Sequence, residues 1–212
     1  MKDKYFRFSE IVQSRPKSYE IFSKSFRNNF LIFTPHGGGI EPGTTEICNW
    51  FAQNGISSYA FSAKGKQCKD LHVTSTRFDE PRLLRMLARH KNCISFHGMT
   101  DYAKTKYDAD IFIGGLDKLL TNKLAHALVK ARFSVAIAGK FPKSPLTAYN
   151  LNNITNKCSS KKGVQIELSE NIRKKFFKGN LKFKSGRERT TVEFEIFCRT
   201  IREIINHSEN GL

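Results

Sequence analysis

Phe30-Leu31-Ile32-Phe33-Thr34-Pro35-His36-Gly37-Gly38-Gly39-Ile40-Glu41-Pro42-Gly43 runs from an apolar stretch into a glycine-rich bend that carries a histidine and a carboxylate. The stretch from Phe30 to Thr34 reads as a buried strand, because β-branched and aromatic residues follow one another without a polar break. Gly37, Gly38 and Gly39 admit backbone conformations closed to other residues, so His36 and Glu41 can converge although the helical repeat would turn them apart. Such a pair can begin a metal site. It can equally be a plain strand-to-helix turn with a solvated histidine, and the rest of the chain has to decide.

Beyond the bend, Thr44 or Thr45 is positioned to cap a helix through about Gln53, with Glu46 in its first turn. Ser57 to Ser62 and Leu71 to Ser75 read as strands. Glu80 to His90 reads as an amphipathic helix with Pro81 at its start, Asp79 and Glu80 serving as caps. Strands follow at Cys93 to Phe96, Asp110 to Ile113, Ser134 to Ala138 and Val164 to Leu168. Helices are expected from Leu116 to Ala131 and from about Thr191 to Asn206. Alternation of this kind predicts an α/β fold, a single domain over residues 1–212 with a twisted, mixed but largely parallel sheet flanked by helices.

Composition narrows the function. The chain has 212 residues, 36 Lys+Arg against 19 Asp+Glu, and a formal net charge of +17. Charge of this size suits a polyanionic partner: nucleic acid, an anionic surface or an acidic polymer. It is concentrated between Lys140 and Arg189, where 13 basic residues face Glu167, Glu170 and Glu188, a balance of +10. A solvated basic face is the plainer account of such a run. Membrane insertion is not expected, since no apolar run is long enough to cross a bilayer. The N-terminus lacks the apolar core of a secretory signal, so synthesis in the cytoplasm is expected. The five cysteines are scattered, with no Cys-x-x-Cys pair, and read as mostly reduced thiols.

In open α/β sheets, ligands gather at the carboxyl ends of strands. His36, His97 and Glu167 each fall at or near such an end. Two imidazoles and a carboxylate, His36, His97 and Glu41, would supply the donor set of many hydrolytic zinc sites and leave a position open for water. A separate carboxylate must then move the proton. Glu167, an acid inside the apolar strand Val164-Gln165-Ile166-Glu167-Leu168, is the candidate, with an outward-facing residue of a half-exposed strand as the competing account. Arg173, six positions on, could reach the site from the next helix and pair with a substrate carboxylate.

Six blocks occur in order: His36 through Glu46, Leu71-His72-Val73-Thr74-Ser75, Phe78-Asp79-Glu80-Pro81, Phe96-His97-Gly98, Gly114-Gly115-Leu116 and Gly163 through Ser169. Together they resemble the phage-type poly-γ-glutamate hydrolases, over about residues 30–178. The resemblance implies a fold similar to that of metallocarboxypeptidases and a single zinc ion. It implies endo-hydrolysis of γ-glutamyl amide bonds, with His36, Glu41 and His97 as zinc ligands and Glu167 as general base. Two departures stand out: the first His and Glu are farther apart than is usual in metallocarboxypeptidases, and Asn156-Lys157-Cys158 stands where the family has Asn-Arg-Cys. Lys157 keeps the charge but lacks the bidentate fork suited to carboxylates.

His72 and Arg77 lie in the resembling blocks without a metal role and join Lys157 and Arg173 as candidate substrate-binding residues. For His72 a hydrogen-bonded core histidine is the alternative. On this reading the partner is poly-γ-glutamate, nucleic acid is not the functional partner, and a monomer is expected. Action on an extracellular polymer would follow lysis or release. The competing functions are a basic nucleic-acid-binding protein, suggested by Phe176-Phe177-Lys178 and Lys182-Phe183-Lys184, and a zinc amidase acting on another acidic substrate such as peptidoglycan fragments.

Overall fold

The computed structural model describes residues 3–15 and 17–210. Seven strands enter one sheet: β1 (Tyr19–Lys24), β2 (Phe30–Gly38), β3 (Ser57–Ala63), β4 (Asn92–Gly98), β5 (Ile111–Gly115), β6 (Val135–Ile137) and β7 (Val164–Leu168), in the spatial order β1-β3-β2-β4-β7-β5-β6. The pairs β3–β2, β2–β4, β4–β7 and β5–β6 are parallel, whereas β1 runs antiparallel to β3 and β5 antiparallel to β7. The mixed, largely parallel sheet read from the sequence is therefore the one observed.

Side chains alternate across the sheet. Phe30, Ile32, Ile94, Phe96, Ile166 and Leu168 face α2 (Thr44–Gln53), α5 (Lys118–Lys130) and α7 (Val192–Asn210), where Phe51, Leu124, Phe197 and Ile201 complete a dry core. Leu31, Phe33, Tyr59, Phe61 and Cys93 face the other way, against α1 (Phe8–Ser14) and α3 (Pro81–Arg89). Each fully buried Phe or Ile in these layers contributes roughly 1.5–3 kcal/mol of transfer free energy. Within the first core Phe197 meets three rings, 6.0 Å from Phe96, 5.7 Å from Phe133 and 5.0 Å from Phe176. All five cysteines are free thiols.

Several expectations need correction. The strand expected at Leu71 to Ser75 is instead a 3-10 turn, Cys68–Leu71, followed by an extended loop; Leu71 and Val73 are buried under the sheet without pairing to it. Gly43, with φ 102°, is the N-cap of α2, and the hydroxyl of Thr45 instead accepts from the Gly38 N–H at 2.9 Å. Glu80 does cap α3, accepting from the amides of Arg82 and Leu83, but Asp79 accepts from the Phe8 amide and anchors α1. Glu46 does lie in the first turn of α2, as expected, and also pairs with Arg187 at 2.7 Å.

The glycines also do something other than bend. β2 runs on through Pro35, His36, Gly37 and Gly38, and its register with β3 shifts between Thr34 and Gly37. Three steps on β2 there match two on β3, from Thr34↔Ala60 to Gly37↔Ser62, which is a bulge. Proline, which has no N–H to donate, suits that position. Simple alternation would leave His36 on the face of Ile32 and Thr34. The bulge turns it to the opposite face, where its ring reaches Val73 and His72.

Candidate metal centre and active site

His97 ends β4 and Glu167 lies near the end of β7, and the two are register partners across the parallel pair. Both stand on the face reached by His36. After β2 the chain turns back on itself, with the Glu41 amide donating to the His36 carbonyl at 2.9 Å, and this brings the Glu41 carboxylate over the two imidazoles.

The donor atoms converge. His36 Nδ1 lies 3.1 Å from Glu41 Oε1 and 3.2 Å from His97 Nδ1, and His97 Nδ1 lies 3.7 Å from Glu41 Oε2. A tetrahedral ion with bonds of about 2.0–2.1 Å sets its donors about 3.3–3.4 Å apart. The His36–His97 separation and the approach of Glu41 Oε1 to His36 lie close to that value, and one donor atom from each residue lies within 4.8 Å of the others, so the triad can hold a small divalent cation. The supporting bonds are also in place: His36 Nε2 donates to the Val73 carbonyl at 2.8 Å, and the Gly98 N–H donates to Glu41 Oε2 at 2.9 Å. Among the described residues His97 Nε2 is buried without a hydrogen-bond partner, so the polar contacts of that ring there lie within the triad.

Electrostatics separate the members. Burial opposes ionisation of Glu41, but the charge and hydrogen bond of His36, with His97 and the Gly98 amide, bring its carboxyl down to about 2. Burial also disfavours a charged His36, yet Glu41 and the Val73 carbonyl raise its pKa above the usual value. Burial holds His97 down to about 3, helped by the charges of His36 and His72 and resisted by Glu41. Glu167 is pushed well above the carboxylate range by burial and then by the charge of Glu41, against Arg173 and Gln165. One carboxylate is thus held ionised beside the imidazoles and the other inclined to carry a proton, a separation of roles that acid–base chemistry requires.

These groups line a cleft of about 350 Å³ together with His72, the Thr74–Thr76 turn, Met99, Leu146, Asn153 and Gln165. Asn153 Nδ2 donates to Gln165 Oε1 at 3.2 Å, which aims Gln165 Nε2 at Glu167 Oε1, 2.8 Å away. Two amides therefore fix the orientation of the buried acid. Gln165 could be found in the sequence, two positions before Glu167 and hence on the same face of the strand; Asn153 carries no such signal.

The expected substrate contacts divide. His72 lines the cleft, its ring 4.2 Å centroid to centroid from that of His36. Arg77 turns away to Asp3, at 2.6 Å, and covers the Phe6 ring at 4.5 Å. Lys157 is half-buried on the 3-10 turn Ile154–Lys157, outside the cleft lining. Arg173, on α6 (Glu170–Lys175), is buried and gives its donors to the carbonyls of Leu168, Pro42 and Met99 at 3.1, 2.9 and 3.2 Å. It ties together the chain ends that carry Glu167, Glu41 and His97. Gly98 makes room for it, since a Cβ there would stand 2.7 Å from the guanidinium carbon.

The family model for poly-gamma-glutamate hydrolases matches residues 5–200, nearly the whole chain and all the residues of the triad. The chain belongs to the poly-gamma-glutamate hydrolase family. Among its relatives is the SPbeta prophage-derived UPF0714 protein YoqZ of Bacillus subtilis (strain 168), 36% identical over 82% of this chain; the match spans 62% of that protein's length. The structure of a bacteriophage poly-gamma-glutamate hydrolase superposes over 100% of both chains, with a TM-score of 0.89 and 32% identity. A second structure, YNDL in a form described as apo and zinc-free, superposes over 98% of this chain and 99% of its own, with a TM-score of 0.88 and 32% identity. The fold is therefore that of the family, and the triad stands at the carboxyl ends of its strands.

Proposed function

We propose that the chain is a zinc-dependent endo-hydrolase that cleaves γ-glutamyl amide bonds of poly-γ-glutamate. The observation that carries the reading is the convergence of His36, Glu41 and His97 at 3.1–3.7 Å beside a buried, proton-inclined Glu167. His36, Glu41 and His97 would hold the ion. When bound there, zinc supplies a Lewis acid that acidifies water and polarises the amide carbonyl.

The remaining steps fall to side chains. Glu167, steered by Gln165, would be ionised once a bound cation offsets the Glu41 charge that raises its pKa; it then takes a proton from the attacking water and passes it to the amide nitrogen as the C–N bond breaks, so that water oxygen ends on the carbonyl carbon and hydrogen on the amine. No covalent link to the chain is needed. His72 contacts substrate from the cleft wall. The charge of +17 attracts and retains a polymer with a carboxylate on every residue, so binding weakens as salt rises. No helix among the described residues is long and apolar enough to cross a membrane.

The test is size-exclusion analysis of the polymer after incubation, with chelator and with zinc added back. Rapid loss of long polymer, abolished by chelation and restored by zinc, is expected. Glu167→Gln should bind zinc normally and lose about 10²–10⁴ in rate. Undiminished cleavage after stoichiometric metal removal would sink the proposal.

A further inference from the structure

Asp3 lies far outside the motifs, yet its carboxylate is only 6% exposed and each oxygen is engaged. Oδ1 accepts from His72 Nδ1 at 2.6 Å; Oδ2 accepts from the Thr74 N–H at 2.8 Å and from Arg77 Nη2 at 2.6 Å. The arm that delivers it is tethered at several points. Lys4 pairs with Asp70 at 2.9 Å, Tyr5 and Phe8 enter the core, and the Phe8 amide donates to Asp79. Residues 3–8 are thus strapped across the loop from Asp70 to Asp79, which forms one wall of the cleft.

A carboxylate accepts, so Nδ1 of His72 is the donor and carries the hydrogen. Arg77 neutralises Asp3, and His72 need not be cationic to make the bond. Nε2 then carries a lone pair, and it has no hydrogen-bond partner among the described residues. Poly-γ-glutamate with ionised carboxylates offers one kind of backbone donor, the amide N–H. An acceptor on the cleft wall meets that group.

We infer that Asp3 is a positioning residue that fixes His72 with Nδ1 protonated and Nε2 presented to the substrate amide, so that the N-terminal arm completes the active site. The catalytic half of this inference rests on the proposed hydrolase function; the tautomer does not.

The experiment is ¹⁵N imidazole NMR on metal-free protein, wild type and Asp3→Ala, joined to steady-state kinetics of the zinc-loaded proteins. In the wild type the His72 spectrum should show Nδ1 protonated and Nε2 bare. In Asp3→Ala it should shift to a mixture of tautomers, with kcat down about ten- to hundredfold and zinc affinity unchanged within threefold. In a His72→Gln background, Asp3→Ala should cost nothing further. A His72 that keeps its Nδ1 proton in Asp3→Ala overturns the inference, whether or not the wild type cleaves the polymer. An equal rate loss in both backgrounds does so too, because it reports a general weakening of the fold.

Discussion

Replacing Gly37 with alanine should damage both the fold and the metal site, by an amount that can be worked out from its surroundings. An added Cβ would meet Thr45 Oγ1 at 2.2 Å, the Phe61 carbonyl oxygen at 2.8 Å and Thr34 Cγ2 at 3.2 Å. Turning the Thr45 side chain relieves the first clash, but that hydroxyl is the acceptor for the Gly38 N–H, and a buried amide left unsatisfied costs about 1–3 kcal/mol. The Phe61 oxygen is backbone of β3 and can recede only if the two strands separate, an overpacking strain also of about 1–3 kcal/mol. The two responses partly relieve each other, so the expected loss is about 2–3 kcal/mol. In a chain of this length each kcal/mol lowers Tm by about 2–4 °C, giving a fall of about 4–12 °C.

The neighbouring residue is His36, whose donor must stay within a few tenths of an ångström of its place. Zinc affinity should therefore fall by about ten- to hundredfold, a loss of the size that follows when a ligand's supporting shell is disturbed. Thermal unfolding of the metal-free protein and calorimetric zinc titration read the two effects separately. Gly139→Ala is the control, since its added Cβ meets nothing within 4 Å and its φ lies outside the left-handed region. A Gly37→Ala protein with the melting temperature and zinc affinity of the Gly139→Ala control would refute the account of the bulge.

Three further outcomes are expected. His97→Ala removes one of three donors, and calorimetry should show zinc affinity falling by more than about a hundredfold, while the metal-free protein keeps its secondary structure by circular dichroism; retained stoichiometric zinc would speak against the triad. Gln165→Ala should leave zinc binding intact but lower kcat by about ten- to hundredfold, because Glu167 loses the amide that aims it; an unchanged kcat would show that burial alone suffices. Phe197→Ala opens a cavity where Phe96 and Phe176 meet and should cost about 3–5 kcal/mol in denaturant unfolding, with the slope unchanged.

How much of this was legible in the sequence depended on what buries each residue. β2 and β5 are covered on both faces and open as apolar runs, whereas in β4 and β7 the apolar residues alternate with polar ones that face the site, yet both strands are buried along their centres. β1, at the sheet edge, is half-exposed along most of its length and gave no such signal. Leu71 and Val73 imitate strand alternation because both are buried, but the burial comes from a 3-10 turn and a loop without a strand partner. His36, Glu41, His97 and Glu167 were recognisable by residue type at predicted strand ends, and the structure does bring them together. The bulge that turns His36 to the correct face was not visible, since register depends on the partner strand. Nor was the placement of Arg173: a guanidinium facing three backbone carbonyls and one facing a substrate carboxylate look the same in one dimension. Asp3 is a lone acid near a terminus, and only the folded arm gives it a partner.

The insertion of β7 between β4 and β5 has a consequence for the order in which competence arrives. All three candidate metal donors lie between His36 and His97, on β2, the turn after it and β4, and β2 and β4 pair directly with one another. Glu167 reaches them only when a strand made much later in synthesis slots into the sheet beside β4, a pairing with high loop-closure cost. Under the proposed function, metal capture belongs to the first half of the chain and proton transfer to its last strand. On that reading a molecule that has not finished folding holds an ion without being able to cut, and hydrolysis begins only with the closed sheet.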